Sequence, residues 1–236
     1  LYASVACLIF AIGMTAKVDD IVYLWRRPVL MLKSVAAMYL VVPAVAVLMT
    51  DVFELPARTE LAVVILAICA GAPLLPKKLI KFGGDPAFVF SLIVNTSLIA
   101  IITVPASLHL LADIISLDTT AVAATGVARV ILKTFLQPLA IGMLLRWAAP
   151  ALAERIGEIL LKIAGAAMGL CAIAVLLSSF HVVFEAGLPS LFAFGAFTLA
   201  AILTGHLFGG PDQSDRTSLA IACSSRHIGL ALLIAA

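Results

Sequence analysis

The segment RTELAVVILAICA at residues 58–70 returns near the end of the chain, in shortened form, as RTSLAIACS at residues 216–224. In both copies Arg-Thr precedes Leu-Ala, an apolar run and a cysteine, and each apolar run is then interrupted. Paired, interrupted apolar segments at matching places in the two halves of a chain indicate the midplane site of a transporter. The residues at which we expect the two helices to break are Gly71, Pro73, Pro76, Ser224 and Ser225.

The composition indicates a membrane protein. Of the 236 residues 64% are hydrophobic and 12% are charged, whereas soluble domains are roughly 45–50% apolar and about 25% charged. The apolar runs are continuous rather than alternating, which favours helices over a membrane β-barrel. The fold class is therefore an all-α polytopic membrane protein. We expect spans near 29–49, 60–80, 86–112, 119–145, 158–180, 188–208 and 216–236, and a partial span at 1–16.

The distribution of Lys and Arg sets the orientation of these spans. The loops 15–28 and 77–85 and the stretch 146–162 each carry three basic residues, whereas 113–118 and 181–188 carry none. The basic loops are predicted to be cytoplasmic, so residue 1 lies outside. Since the chain starts and stops within apolar runs, we expect it to be part of a longer protein, truncated at both ends.

The basic residues follow the loops, so the expected partner is the lipid bilayer and not a nucleic acid. The sequence contains no phosphate-binding glycine loop, zinc-ligand spacing or Ser/His/Asp motif, so we expect neither an enzyme nor a cofactor. The four cysteines lie in apolar helices without a CxxC motif, which favours packing over a disulfide framework. They are Cys7, Cys69, Cys171 and Cys223.

Arg226 is the most informative single residue. It follows Arg216 by ten residues, about 15 Å along a helix, and so lies near the bilayer centre. An arginine there costs about 2.5–3.5 kcal/mol even on the insertion scale. It requires a partner, a cavity or an anionic ligand, and the spans contain few acidic residues. The adjacent His227 either carries a proton or donates a simple hydrogen bond.

Other polar residues also lie within predicted spans. Arg129 and Lys133 have i,i+4 spacing and share a helix face, so a negative group is expected between them: a substrate carboxylate or sulfonate, or Asp85 or Asp113. Asn95 is a further candidate, because neighbouring Thr and Ser often bond only their own backbone. The candidate substrate-binding residues are Arg226, His227, Asn95, Lys133 and Arg129.

The chain resembles the bile acid:sodium symporter family over nearly its whole length. The resemblance implies ten helices in two inverted five-helix repeats, of which this chain covers the second to the ninth, with the fourth and ninth unwound where they cross. The residues that carry it are Gly13-Met14-Thr15, Pro43, Cys69-Ala70-Gly71, Gly84-Asp85, Pro105, Lys133 with Pro138, Arg216-Thr217 and Gly229-Leu230.

The positions that bind sodium in the family are replaced here, which makes the chain a divergent, bacterial-type member. Hard cations need several oxygen ligands, and the resemblance places apolar or cationic side chains at most of these positions. We therefore expect no metal site, with Arg226 standing where a bound sodium would supply positive charge. By this resemblance the sodium positions fall on Met38, Leu75, Pro76, Val89, Ile93, Ala222, Arg226 and His227.

Three functions remain open at this stage. The first is a secondary transporter of a small organic anion by alternating access, not coupled to sodium, in the bacterial inner (plasma) membrane. The second is a sensor or structural module that keeps the symporter-like fold without transport. The third, a membrane enzyme or channel, lacks a visible acid/base or metal cluster. The resemblance divides a single membrane domain, 1–236, into panel-like helices at 1–16, 119–145 and 158–180, and core-like helices at 29–49, 60–80, 86–112, 188–208 and 216–236.

Overall fold

A computed structural model of the chain describes residues 2–15, 17–53, 55–69, 83–115, 126, 129, 131–178 and 187–226. The regular elements in these ranges are helices, which confirms the all-α fold class. In chain order the α-helices are α1 (Tyr2–Thr15), α2 (Val18–Val22), α3 (Pro28–Ala36), α4 (Val42–Phe53), α5 (Ala57–Ile68), α6 (Pro86–Ile115), α7 (Gln137–Ala148), α8 (Pro150–Ser178), α9 (Gly187–Phe208) and α10 (Gln213–Ser224). A 3₁₀ turn covers Leu24–Arg26, and two π-helical segments cover Ala37–Val41 and Leu132–Leu136.

Three stretches of the described chain are long and apolar enough to cross a bilayer: Pro28–Phe53, Pro86–Leu110 and Gly187–Phe208. Their outer faces carry large exposed apolar side chains such as Leu40 and Ile102. A water-soluble protein of this size rarely leaves so many exposed. In a membrane these side chains contact lipid tails.

Each π-helical segment ends two residues before a proline, Pro43 in the first case and Pro138 in the second. Proline lacks an N–H group and crowds the carbonyl one turn earlier, so the helix widens by one residue. The Val42 N–H accordingly donates to the carbonyl of Ala37, five residues back, and so bypasses the carbonyl of Met38. In the π-helical pattern the donor to the Met38 carbonyl would be the N–H of residue 43, but residue 43 is proline and has no N–H.

The helices pack most closely within two sets. In the smaller set α1 lies against α7 and α8. A Cβ added at Gly13 would lie 2.5 Å from the Leu139 carbonyl oxygen, so the backbones of α1 and α7 touch. In the larger set α3, α4, α5, α6, α9 and α10 surround one another. There a Cβ added at Gly205 of α9 would lie 2.5 Å from the Cα of Ala220, so the backbones of α9 and α10 touch as well.

Two helices of the larger set end inside the protein. Helix α5 ends at Ile68 and α10 ends at Ser224, and each is followed by a residue with extended backbone, Cys69 (φ −67°, ψ 151°) and Ser225 (φ −105°, ψ 118°) respectively. The two repeat copies RTELAVVILAICA and RTSLAIACS thus form half-helices whose carboxyl ends stop short of a full membrane crossing. Of the predicted break residues, Gly71, Pro73 and Pro76 lie outside the described residues.

Candidate functional site

The guanidinium of Arg226 joins the ends of the two half-helices. Its Nε donates to the Cys223 carbonyl at 3.0 Å, and its Nη1 donates to the Cys69 carbonyl at 2.9 Å. Nη1 also donates to the Met38 carbonyl at 3.3 Å. The side chain is 4% exposed. One cation therefore connects the end of α5, the end of α10 and the first π-helical segment.

Each of these carbonyls is available for a local structural reason. The carbonyls of Cys69 and Cys223 belong to helix carboxyl ends, where the last four carbonyls have no donor within the helix. The carbonyl of Met38 is bypassed because the π-helical register and Pro43 remove both of its helical donors. A guanidinium has five N–H donors in a fixed plane and can serve all three acceptors at once.

The electrostatics of the half-helices explain how a cation can be held here. A helix carboxyl end carries a partial charge of roughly −0.5. Two such ends converge on the guanidinium, so their sum, about −1, balances its charge. Within the described ranges no ion pair includes Arg226. Backbone carbonyls therefore supply the negative charge that a carboxylate usually supplies to a buried arginine.

One nitrogen of the guanidinium is not used in this arrangement. Nη2 is buried and has no hydrogen-bond partner among the residues that the structure describes. A buried donor without an acceptor costs about 1–3 kcal/mol, and more when it is charged. An acceptor placed at Nη2, and most favourably an anionic one, would remove this cost.

The described side chains around Arg226 are thiols or groups that are already hydrogen-bonded. The side chains of Cys69 and Cys223 are buried beside it. The Tyr39 hydroxyl also lies near and donates to the carbonyl of Thr96 at 2.5 Å. Such a lining supplies thiol and hydrocarbon surface rather than the oxygen cage that a hard cation needs.

The positions that the family resemblance assigns to sodium follow the same pattern. Met38, Val89, Ile93 and Ala222 are buried, and none has a side-chain oxygen. Their contribution to any cation site is limited to backbone carbonyls, and that of Met38 is bound by Arg226. Leu75, Pro76 and His227 lie outside the described residues.

Asn95 is held by the protein itself. Its Oδ1 accepts from the Trp25 Nε1 at 2.9 Å, and its Nδ2 donates to the Ser91 carbonyl at 2.8 Å and the Ser91 Oγ at 3.1 Å. Ser91 Oγ in turn donates to the carbonyl of Ile21 and accepts from the Leu24 N–H. The pair Asn95 and Ser91 fastens the segment around α2 and the 3₁₀ turn to helix α6.

Arg129 and Lys133 are both exposed. Lys133 lies in the second π-helical segment, which packs against α1 in the smaller set of helices. Neither residue is hydrogen-bonded to Arg226 in the structure. The four candidates that the structure describes are thus not gathered into one site: Arg226 lies at the crossing, Asn95 lies in α6, Lys133 lies beside the smaller set, and Arg129 is exposed. His227 lies outside the described residues.

The partners of Arg226 could not be found from side-chain chemistry, because all three are backbone carbonyls. Only two signals in the sequence point toward them. The paired repeat copies place the helix ends that carry Cys69 and Cys223, and Pro43 marks the place where a helical carbonyl is freed. Pro43 identifies the Met38 carbonyl as the free one only once the π-helical hydrogen-bonding pattern is known.

Comparison with known families shows a match over most of the chain. The family model described as the Sodium Bile acid symporter family matches residues 4–186. The match covers the smaller set of helices together with α3 to α6, and it ends before α9 and α10. None of the curated proteins compared with the chain matches it.

Proposed function

Since the chain belongs to the sodium bile acid symporter family, we propose that this integral, multi-pass membrane protein is a secondary transporter of a small organic anion. It works by alternating access in the bacterial inner (plasma) membrane and is not coupled to sodium. The observation that carries the proposal is the buried guanidinium of Arg226 where two half-helices end, with no partner for Nη2 among the residues that the structure describes. Transporters of this architecture bind substrate at such midplane breaks.

The chemistry of Nη2 selects the class of substrate. An N–H group of a buried cation binds most strongly to an oxygen that carries charge, such as a carboxylate or sulfonate oxygen. The buried apolar side chains nearby favour a substrate with a hydrocarbon body. We propose His227, the next residue in the sequence after Arg226, as a second donor to the substrate. Asn95, Arg129 and Lys133 stay as secondary candidates along the substrate path.

Independence from sodium follows from how the carbonyls are used. A sodium ion at the crossing would need several oxygen ligands, but three backbone carbonyls there already accept from Arg226. A sodium ion would also be repelled by the guanidinium at contact distance. Arg226 thus takes the place of a dissociable cation.

Alternating access requires two bodies that move against each other. We assign the smaller set of helices, α1, α7 and α8, as a panel, and the set that surrounds α5 and α10 as a core. The backbone contacts between α1 and α7 and between α9 and α10 keep each body rigid. The extended residues Cys69 and Ser225 lie within the core, where the substrate binds.

The experiment is a thermal-unfolding screen of the purified full-length protein with benzoate, benzenesulfonate and cholate. Each anion is tested in sodium chloride and in choline chloride at equal ionic strength. Stabilisation by an anion, equal in both salts, is expected. Arg226→Gln should reduce it strongly, whereas Arg155→Gln, the same change at an exposed arginine of α8, should leave it unchanged. Stabilisation that requires sodium would contradict the proposal.

One observation favours the second candidate function, a sensor or structural module without transport. The two helix ends, through their carbonyls, already balance the charge of Arg226. The guanidinium can therefore act as a permanent structural link between α5 and α10, with no substrate bound. Flux separates the two functions: a module binds or ignores the anions but moves none of them across a proteoliposome membrane. Counterflow of labelled benzoate would exclude the module.

A further inference from the structure

A second buried charge lies at the cytoplasmic end of α10, about three helical turns from Arg226. The side chain of Asp215 is only 2% exposed, and its Oδ2 lies 3.5 Å from the Arg27 Nη1. Asp215 precedes the predicted span 216–236 and belongs to the first turn of α10. The contact joins α10 to the residue immediately before α3.

Arg27 does not neutralise Asp215 fully, because it is shared. The same Nη1 lies 3.6 Å from Asp212, whose side chain is 60% exposed. The guanidinium also lies over the ring of Tyr23, 4.6 Å from its centroid, and is itself about half exposed. One cation thus faces two carboxylates, of which only Asp215 is shielded from water.

Besides Arg27, two carboxylates act on Asp215. Positive charge comes from Lys33, which lines the same cavity, and from the amino end of α10, whose first turn contains Asp215. Asp85, whose Oδ1 caps α6 by accepting from the Ala87 N–H at 2.8 Å, acts on it from a neighbouring element. Gly205 of α9 and Gly209, the residue that follows α9, bring backbone rather than a charged side chain against α10. The groups that act on Asp215 from the described elements are Arg27, Lys33, Tyr23, Asp212 and Asp85.

Beside Asp215 there is space through which a proton can reach it. A cavity of about 260 Å³ is lined by Arg27, Lys33, Gly210, Asp212 and Asp215. It opens between the start of α3 and the turn that links α9 to α10. The carboxyl is therefore buried from bulk water but adjacent to a cavity large enough for several water molecules.

Burial raises the pKa of Asp215 to about 6, with Asp212 and Asp85 adding to the rise and Arg27 opposing it. An unperturbed aspartate has a pKa of 3.8. The folded protein therefore binds more protons than the unfolded chain between these two values. Stability is greatest below about pH 4 and falls as the pH rises through 6, as far as this group determines it.

We propose that Asp215 is a proton-binding site, separate from the anion site, that releases Arg27 from the junction between α3 and α10 when it takes up a proton. The neutral carboxyl attracts the guanidinium only weakly, so Arg27 stays with Asp212 and Tyr23. The start of α10 then loses its charged connection to the start of α3. Deprotonation restores it.

A consequence for transport rests on the proposed function. Helix α10 carries Asp215 in its first turn and ends next to Arg226, so a proton that alters how α10 is held also acts on the anion site. The proton is then the ion to which anion movement is linked. The proton site itself does not depend on this step, and it is tested without any anion.

The test uses Trp25 as a probe, two residues from Tyr23 and from Arg27. The chain has two tryptophans, so Trp147→Phe leaves Trp25 alone. In this background Trp25 emission and the thermal midpoint Tm are measured from pH 4.5 to 7.5 for the parent, Asp215→Asn and Asp212→Asn. We expect a transition near pH 6 in the parent and in Asp212→Asn that is absent in Asp215→Asn. The Tm of Asp215→Asn should fall less over this range.

The same pH profile in Asp215→Asn as in the parent, by both emission and Tm, would overturn the proposal. If Asp215→Asn does not fold, Arg27→Gln decides: loss of the nearby cation must move the midpoint to higher pH, and an unmoved midpoint rejects the site. The pH dependence of the anion-induced Tm shift is then measured separately. An absent anion effect with an intact titration refutes the proposed transport and leaves the proton site standing.

Discussion

Replacement of Arg226 by methionine tests the central reasoning most directly, because methionine keeps an unbranched chain of similar length and removes every donor. Three backbone carbonyls, those of Met38, Cys69 and Cys223, lose their partner. At about 2 kcal/mol for each unpaired buried acceptor the loss is about 6 kcal/mol. Removal of an arginine from mid-membrane depth returns about 3 kcal/mol. The expected net destabilisation is about 3 kcal/mol.

The loss of anion binding is a separate effect from the loss of stability and has its own magnitude. Loss of one partner of a buried, hydrogen-bonded charge pair costs at least about 2 kcal/mol, which raises Kd about 30-fold. At an anion concentration of 100 times the native Kd, binding stabilises the native protein by about 2.7 kcal/mol. In Arg226→Met the same concentration is only about three times Kd, and the stabilisation falls to about 0.9 kcal/mol.

The assay is the anion-dependent thermal unfolding of both proteins in the same lipid-detergent mixture, with direct binding of labelled anion as a second readout. Arg226→Lys is the companion variant, because it keeps the charge but replaces the planar fork by a point charge. It should retain part of the anion effect and lose part of the stability. An anion-induced shift in Arg226→Met equal to the native one would refute a role for the guanidinium in binding.

Two further predictions concern packing. Gly142→Ala places a Cβ 2.3 Å from the Phe10 carbonyl oxygen, so α1 and α7 must separate. We expect the free energy of unfolding, measured by thermal unfolding, to fall by about 1–3 kcal/mol. The control is Gly165→Ala, where no atom lies within 4 Å of the added Cβ, and it should be neutral or slightly stabilising. Asn95→Leu removes the acceptor of the Trp25 N–H. It should lower Tm and change Trp25 emission without weakening anion binding. Loss of anion binding with unchanged Trp25 emission would instead place Asn95 in the substrate site.

The two helix breaks can be predicted from the sequence because their signals are local. An apolar run that meets glycine, proline or consecutive polar residues cannot continue as a membrane helix. The described helices α5 and α10 end at Ile68 and Ser224, whereas the break at Gly71, Pro73 and Pro76 stays a prediction. The burial of Arg226 follows from counting residues along the helix. Both inferences need only the chain near the feature itself.

What the sequence could not provide are the partners of Arg226. They come from residues 38, 69 and 223, which are far apart along the chain, and they are backbone atoms that every residue type carries. Asn95 illustrates the opposite difficulty: its amide is a plausible ligand for a substrate, yet it bonds Trp25, 70 positions earlier. Only tertiary structure decides which polar side chains are already engaged.

For the transport that we propose, a cation that is part of the chain changes the energetics. A bound sodium ion contributes both charge at the crossing and, by dissociating on the other side, the free energy of its gradient. Arg226 supplies the charge but never dissociates, so it contributes no gradient. Inward movement of a monovalent anion against a negative interior costs about 2.3 kcal/mol per 100 mV. Accumulation therefore needs a second ion or an exchanged anion. Asp215, as a proton site on the helix that ends beside Arg226, is the described residue placed to supply that second ion.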